Sequence, residues 1–102
     1  MNRPVRWSTD ALADLADQIA YIAADNPSAA RRVADAIGRT ALALGDMPTG
    51  RPGRVTGTYE KSVTGLPYIL AYAISRAGGE EAVGIVRVIH TSRDWSAGKW
   101  PD

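Results

Sequence analysis

Cysteine is absent from the 102 residues, and histidine occurs only once, as His90. The absence of cysteine excludes disulfide bonds, thiol catalysis and zinc or iron–sulfur sites with cysteine ligands. A single histidine excludes a metal site built from several histidines of one chain. We therefore expect neither a metal centre nor a bound cofactor.

Long apolar runs and a strong net charge are also lacking. No apolar stretch approaches the roughly 20 residues that a membrane span requires, and the net charge is only +1. Apolar residues make up 45% of the chain and charged residues 23%, which are values typical of globular proteins. We expect one domain over residues 1–102, in a cytoplasmic protein that does not associate with membranes.

The first half of the chain predicts two helices. Residues 8–10 supply capping groups, and the apolar residues that follow are spaced by three and four, as on one side of a helix. Asn26 and Pro27 end this helix and begin another, which ends at Gly45. Because almost no loop separates the two helices, they should form an antiparallel hairpin.

The second half predicts strands, and an N-terminal strand is expected at residues 3–8. Residues 59–63, 68–76 and 81–90 follow, the last two joined by a hairpin connection at 77–80. The fold class is therefore α+β, with the N-terminal strand and the helix hairpin packed on an antiparallel sheet whose other face is open or otherwise covered. The predicted core contains Leu15, Ile19, Ile22, Val33, Ile37, Leu44, Val86 and Val88.

Two residues of the last predicted strand stand out chemically. Arg87 lies in an otherwise apolar segment, so its guanidinium should pair internally, with Glu60 or Asp94, or contact a partner or phosphate. His90 ends the strand, where it could serve in acid–base chemistry or simply in packing and capping.

Other polar groups have two interpretations as well. The aspartates of the first helix should form a solvated face. Arg51, Arg54 and Lys61 form either a basic rim or a solvated loop. The strand tyrosines Tyr59, Tyr68 and Tyr72 would either stack on bases or belong to the core or an interface. In residues 93–95, Arg93 and Asp94 would form an ion pair and Trp95 would close the core.

Three segments, residues 50–58, 67–72 and 85–95, together with features of residues 7–27, resemble the RelE/ParE superfamily of bacterial toxins. The resemblance covers nearly the whole chain in the same order. It implies a small α+β toxin that forms a hetero-oligomer with a cognate, ParD-like antitoxin. Such an antitoxin has a DNA-binding N-terminal part and a flexible C-terminal segment that folds along the toxin.

The resemblance leaves two targets open. RelE-like members cut messenger RNA on the ribosome, and in that case His90, Arg54 and Arg93 would be catalytic. ParE-like members inhibit DNA gyrase without catalysis. Ile69, which follows Tyr68, and Thr91 stand where RelE-like toxins have arginines, so the sequence is closer to the ParE-like group. Contacts with the partner or target are then expected from Arg51, Lys61, Tyr72, Arg87 and Trp95.

Overall fold

The protein is described by a computed structural model over residues 3–92. Two helices and five strands follow one another in the order β1 (Val5–Trp7), α1 (Thr9–Asp25), α2 (Pro27–Asp46), β2 (Arg51–Pro52), β3 (Tyr59–Ser62), β4 (Tyr68–Ala77) and β5 (Glu80–His90). This order confirms the α+β class. It also adds one short strand, β2, that the glycine- and proline-rich sequence did not predict.

Side-chain caps fix the starts of both helices, as predicted. The Ser8 hydroxyl accepts a hydrogen bond from the backbone N–H of Ala11, and the Asn26 side chain accepts one from Ala29. Pro27 occupies the first turn of α2, where its missing N–H costs nothing. Asn26 is the sole residue between α1 and α2, which confirms the helix hairpin. Neither helix is long and apolar enough to cross a membrane.

The five strands form one sheet in the order β1-β5-β4-β3-β2. The pairs β2–β3, β3–β4 and β4–β5 are antiparallel, and Gly78 and Gly79, both with positive φ, form the two-residue turn of the β4–β5 hairpin. The predicted antiparallel sheet is confirmed for β2–β5, and β1 makes the whole sheet mixed because it runs parallel to β5. The helix hairpin and strands β2–β4 separate β1 from β5 in the sequence, which leaves enough chain for β5 to return beside β1 in the same direction.

The N-terminal segment is also bound to the end of α2. The backbone N–H of Arg3 donates to the carbonyl oxygen of Gly45 at 2.8 Å. A Cβ atom at Gly45 would lie 2.5 Å from the carbonyl oxygen of Arg3, so only glycine allows this approach. The Val83 N–H also donates to the Pro4 carbonyl oxygen, so the chain before β1 is held against both α2 and β5.

Apolar side chains are buried on both faces of the sheet. The larger cluster lies between the sheet and the helices and includes Ile37, Leu44, Leu70, Tyr72 and Ile85. Leu15 and Val33 pack against it, whereas Ile19 and Ile22 are only half-buried. A smaller cluster of Ile69, Ala71 and Ile89, with Val55 and Val86 against it, lies on the opposite face.

A β-bulge in β5 explains why one core prediction is wrong. Ala71 pairs with Arg87 while Tyr72 pairs with Ile85, so Val86 has no partner in β4. The extra residue changes the alternation of side chains along β5. Val88 consequently lies with Ile85 on the helix side, whereas Val86 belongs to the cluster on the opposite face.

Candidate functional site

Arg87 is held by an ion pair with α1. Its Nε and Nη2 atoms donate to the two carboxylate oxygens of Asp14 at 2.7 and 2.9 Å. The two side chains are only 12% and 17% exposed. The prediction of an internal ion pair is therefore confirmed in kind, but its partner is Asp14 rather than Glu60. Asp14 is correspondingly not part of a solvated acidic face.

The same carboxylate satisfies the backbone at the bulge. Asp14 Oδ2 also accepts a hydrogen bond from the N–H of Val88 at 2.9 Å. The Ser8 hydroxyl donates to the carbonyl oxygen of Val86, and the Ser8 N–H donates to that of Ile85. Where pairing with β1 ends at Ile85, backbone groups of β5 thus find partners at the start of α1. These contacts fix α1 on β5.

Glu60 is the one buried charged residue among residues 3–92, with a side chain 5% exposed. Its Oε2 accepts hydrogen bonds from both the backbone N–H and the Nε of Arg54 at 3.0 Å, and Arg51 Nη2 lies 3.5 Å from Oε1. Burial alone would raise the pKa of Glu60. The hydrogen bonds from Arg54 and the charges of both arginines outweigh that effect and hold the pKa below its usual value.

Tyr72 lies in the core rather than on a contact surface. It is 1% exposed and its ring stacks on that of the more exposed Tyr59. The Tyr72 hydroxyl donates to the carbonyl oxygen of Thr49. Burial, with a smaller effect from neighbouring Tyr59, raises the pKa of Tyr72, so this hydroxyl remains protonated as a donor.

His90 ends β5 beside α1. Its ring meets that of Tyr68 edge-on, with the centroids 5.1 Å apart, and it lines a surface pocket with Asp17, Gln18 and Tyr21. The Nδ1 atom lies 2.6 Å from the Ser92 hydroxyl and accepts from the Ser92 N–H at 3.2 Å. The ring of His90 thus packs on its neighbour in β4, and its Nδ1 atom contacts a residue two positions further along the chain.

The structure places His90 and Arg54 on opposite faces of the sheet. Glu60, which binds Arg54, pairs with Ala71 of the smaller cluster. His90 instead pairs with Tyr68, a member of the cluster beneath the helices. The third predicted catalytic residue, Arg93, lies outside the described residues, as do Asp94 and Trp95.

Lys61 and Arg51 lie along a groove beside β3. One part of the groove lies between β3 and the end of α2 and includes Arg39, Met47 and Lys61. A second part includes Gly50, Arg51 and Glu60, and the two share Lys61, Ser62 and Thr64. Within residues 3–92, the side chains of Arg39 and Lys61 make no hydrogen bond or ion pair.

Asp14 and Arg39 were not predicted as site residues from the sequence. Both lie on amphipathic helices among other charged residues, where a solvated position is the ordinary interpretation. One feature of the sequence could have pointed to Asp14. Arg87 lies in an apolar strand and therefore needs a buried anion as its partner. Nothing in the sequence pattern distinguishes Asp14 from Asp10 or Asp17 as that anion, since the choice depends on how α1 lies across the bulge.

Both the sequence and the arrangement of two helices on a five-stranded sheet have matches among known proteins. The sequence model of the family described as ParE toxin of type II toxin-antitoxin system, parDE, matches residues 5–95. The chain belongs to the ParE toxin family. It is the toxin component of a type II toxin–antitoxin system.

Individual relatives agree with this assignment. A candidate toxin of Sinorhizobium fredii, Y4kP, is 41% identical over 92 residues, which cover 89% of this ParE-family chain and 91% of the relative. A structure of the chromosomal ParDE toxin–antitoxin system from P. aeruginosa superposes with a TM-score of 0.79 at 18% identity, over 88% of this chain and 97% of that one.

A second structural neighbour has a lower similarity. The YoeB/ParE toxin from Agrobacterium tumefaciens superposes with a TM-score of 0.56 at 13% identity, over 85% of this chain and 96% of that one. At these identities the two structural comparisons establish the shared fold of the ParE-family chain and nothing further.

Proposed function

We propose that this ParE-family toxin acts in the cytoplasm as an inhibitor of DNA gyrase and that a cognate ParD-like antitoxin neutralises it. The observation that carries the proposal is the separation of His90 from Arg54 by the sheet. A general acid or base and a cation that stabilises the phosphorane charge must reach the same phosphodiester. These two side chains face opposite sides, so they do not form a nuclease centre together.

The contacts of Arg54 with Glu60 also favour gyrase inhibition over RNA cleavage. Its guanidinium and backbone N–H are both engaged by the buried Glu60 carboxylate. A cation that stabilises a reacting phosphate would have to exchange this carboxylate for the substrate, leaving a buried charge without its closest partner. Inhibition by binding to a target protein places no such demand on Arg54.

The test uses purified toxin in two assays, gyrase supercoiling and cleavage of message on the ribosome. We expect inhibition of supercoiling and no cleavage. His90→Ala should leave inhibition within about twofold, because no proton transfer is required. If His90 were a general acid or base, the same change would lower cleavage by about 10²–10⁴-fold.

The second half of the proposal concerns the antitoxin. Co-expression with the protein encoded beside the toxin should give one complex by size-exclusion chromatography, and adding that protein to free toxin should restore supercoiling. Message cleavage that His90→Ala abolishes would overturn the gyrase proposal in favour of the nuclease alternative. A toxin recovered without its neighbour would contradict the antitoxin proposal.

A further inference from the structure

Four cations lie in and beside the groove between α2 and β3. Arg39 of α2 and Lys61 of β3 both line the groove, and Arg51 lines its second part with a side chain that is 68% exposed. Arg32 precedes Arg39 by seven residues of α2, which is almost two helical turns, so both lie on the same side of the helix about 10 Å apart. These four residues are called the basic cluster below.

The basic cluster is largely free to bind a ligand. The side chains of Arg32, Arg39 and Lys61 make no hydrogen bond or ion pair within residues 3–92. Both arginines of α2 are exposed, and Lys61 is half-buried at the groove. A ligand that binds these cations therefore does not have to displace an internal partner from any of the three.

Acidic groups offset only part of this charge. Glu60 lines the groove, but its carboxylate is already bound by Arg54 and Arg51. Among the described residues that line the groove, Asp46 is the other acidic one. Asp35 of α2 lies outside the groove and makes no ion pair within residues 3–92. The surface around the groove thus keeps an excess of positive charge.

The remaining lining favours a phosphate backbone as the ligand. Thr49, Ser62 and Thr64 bring hydroxyl groups to the groove beside Lys61, and cations with hydroxyls are the usual donors to phosphate oxygens in protein–DNA complexes. None of the described residues that line the groove is aromatic. Single-stranded nucleic acids are held largely by stacking on aromatic rings, and protein partners by buried aromatic anchors. The groove therefore fits a nucleic acid duplex better than either of these.

We propose that the basic cluster contacts the phosphate backbone of the DNA duplex on which gyrase acts. The inference rests on the proposed inhibition of gyrase and adds the DNA as a second component that the toxin contacts in the gyrase complex. Contacts with the backbone carry no sequence information, so DNA of any sequence should serve. They should also depend on salt, because each neutralised phosphate releases counterions.

The test compares the affinity of the full-length toxin for purified gyrase with and without a bound DNA duplex. Wild-type toxin should bind the gyrase–DNA complex at least about tenfold more tightly than gyrase alone. Arg39→Gln and Lys61→Gln should each reduce this gain at least about threefold. Each should also make the slope of log affinity against log salt concentration for the gyrase–DNA complex less steep by about 0.9, the contribution of one phosphate.

Two further variants serve as control and converse. Arg31→Gln removes a positive charge from an exposed residue of α2 outside the groove and should leave the gain within about twofold. Asp46→Asn removes a negative charge from the groove at the end of α2, where a negative charge does not stabilise the helix. It should increase the gain at least about twofold, which loss of the fold would not do.

Several results would overturn the inference alone. They are equal affinity for gyrase with and without DNA, a gain that Arg39→Gln and Lys61→Gln leave unchanged, and a smaller gain for Asp46→Asn. A gain supplied by single-stranded RNA but not by duplex DNA would also overturn it. In each case, inhibition of supercoiling by the wild type would leave the gyrase proposal intact. Absence of both gyrase binding and inhibition would overturn the two together.

Discussion

Replacing Asp14 by alanine should destabilise the fold more than replacing any other aspartate of α1. The Asp14 carboxylate accepts two hydrogen bonds from Arg87 and one from the Val88 N–H. Removing one partner of a buried ion pair costs about 3–5 kcal/mol. The Val88 N–H is also left without its acceptor, which costs about 1–3 kcal/mol by itself.

The Arg87 and Asp14 side chains are 12% and 17% exposed, so solvent weakens the electrostatic contribution of their ion pair. We therefore expect Asp14→Ala to lower the free energy of unfolding by about 3–5 kcal/mol in total. Urea unfolding followed by circular dichroism measures this change. With a dependence of about 2 kcal/mol per molar urea, the midpoint should fall by about 2 M.

Two further variants separate the contributions of charge and hydrogen bonding. Asp14→Asn retains one acceptor oxygen but no charge, so it should cost about 1.5–3 kcal/mol. Combining Asp14→Ala with Arg87→Met should cost less than the sum of the two single changes, because both remove the same interaction. Asp17→Ala, on the exposed side of α1, is the control and should stay within about 0.5 kcal/mol of wild type. A loss below about 1 kcal/mol for Asp14→Ala would refute the reasoning.

Two other changes test the core and the buried carboxylate. Ile37→Ala removes a fully buried side chain beneath the sheet and should cost about 2–5 kcal/mol, and an unchanged denaturant midpoint would contradict this packing. Because the folded-state pKa of Glu60 is lowered, its stabilisation is present above the unfolded pKa, about 4.3, and is lost as the pH falls towards the folded value. Glu60→Gln should therefore reduce the loss of stability on acidification, measured by thermal unfolding at several pH values between about 3 and 7, and an identical pH profile would contradict the assignment.

Local sequence signals predicted the helices and the long hairpin because short-range physics specifies them. Asn26 and Pro27 determine a helix boundary through capping and a fixed φ, and Gly78-Gly79 determines a two-residue turn. Alternation of apolar residues identified β4 and β5 to within one residue at their ends. In each case the residues that carry the signal also make the interaction.

Long-range features were predicted less well. Pairing of β1 with β5 joins Val5 to Val83, and no local pattern specifies the direction of such a pair. The bulge at Val86 changes which face the following residues occupy, although the sequence remains uniformly apolar around it. For the candidate site, Lys61 and Arg51 were identified from charge. The pairing of β2 with β3 beside them stops before Thr49, because the Thr49 backbone bonds to Met47 and Tyr72 instead, and sequence patterns do not reveal these bonds.

The parallel pairing of β1 with β5 has a consequence for how the toxin acquires its structure during synthesis. The contacts between α1 and α2 join residues close together in sequence, so the helix hairpin can form early. β1 is synthesised before β5 but can join the sheet only when β5 is present, because in residues 3–92 no other strand pairs with β1. Closing so long a segment is entropically costly and slow. A nascent chain that ends before Glu80 therefore lacks the strand that would join β1 to the sheet, and the toxin fold is completed only after β5 has been synthesised.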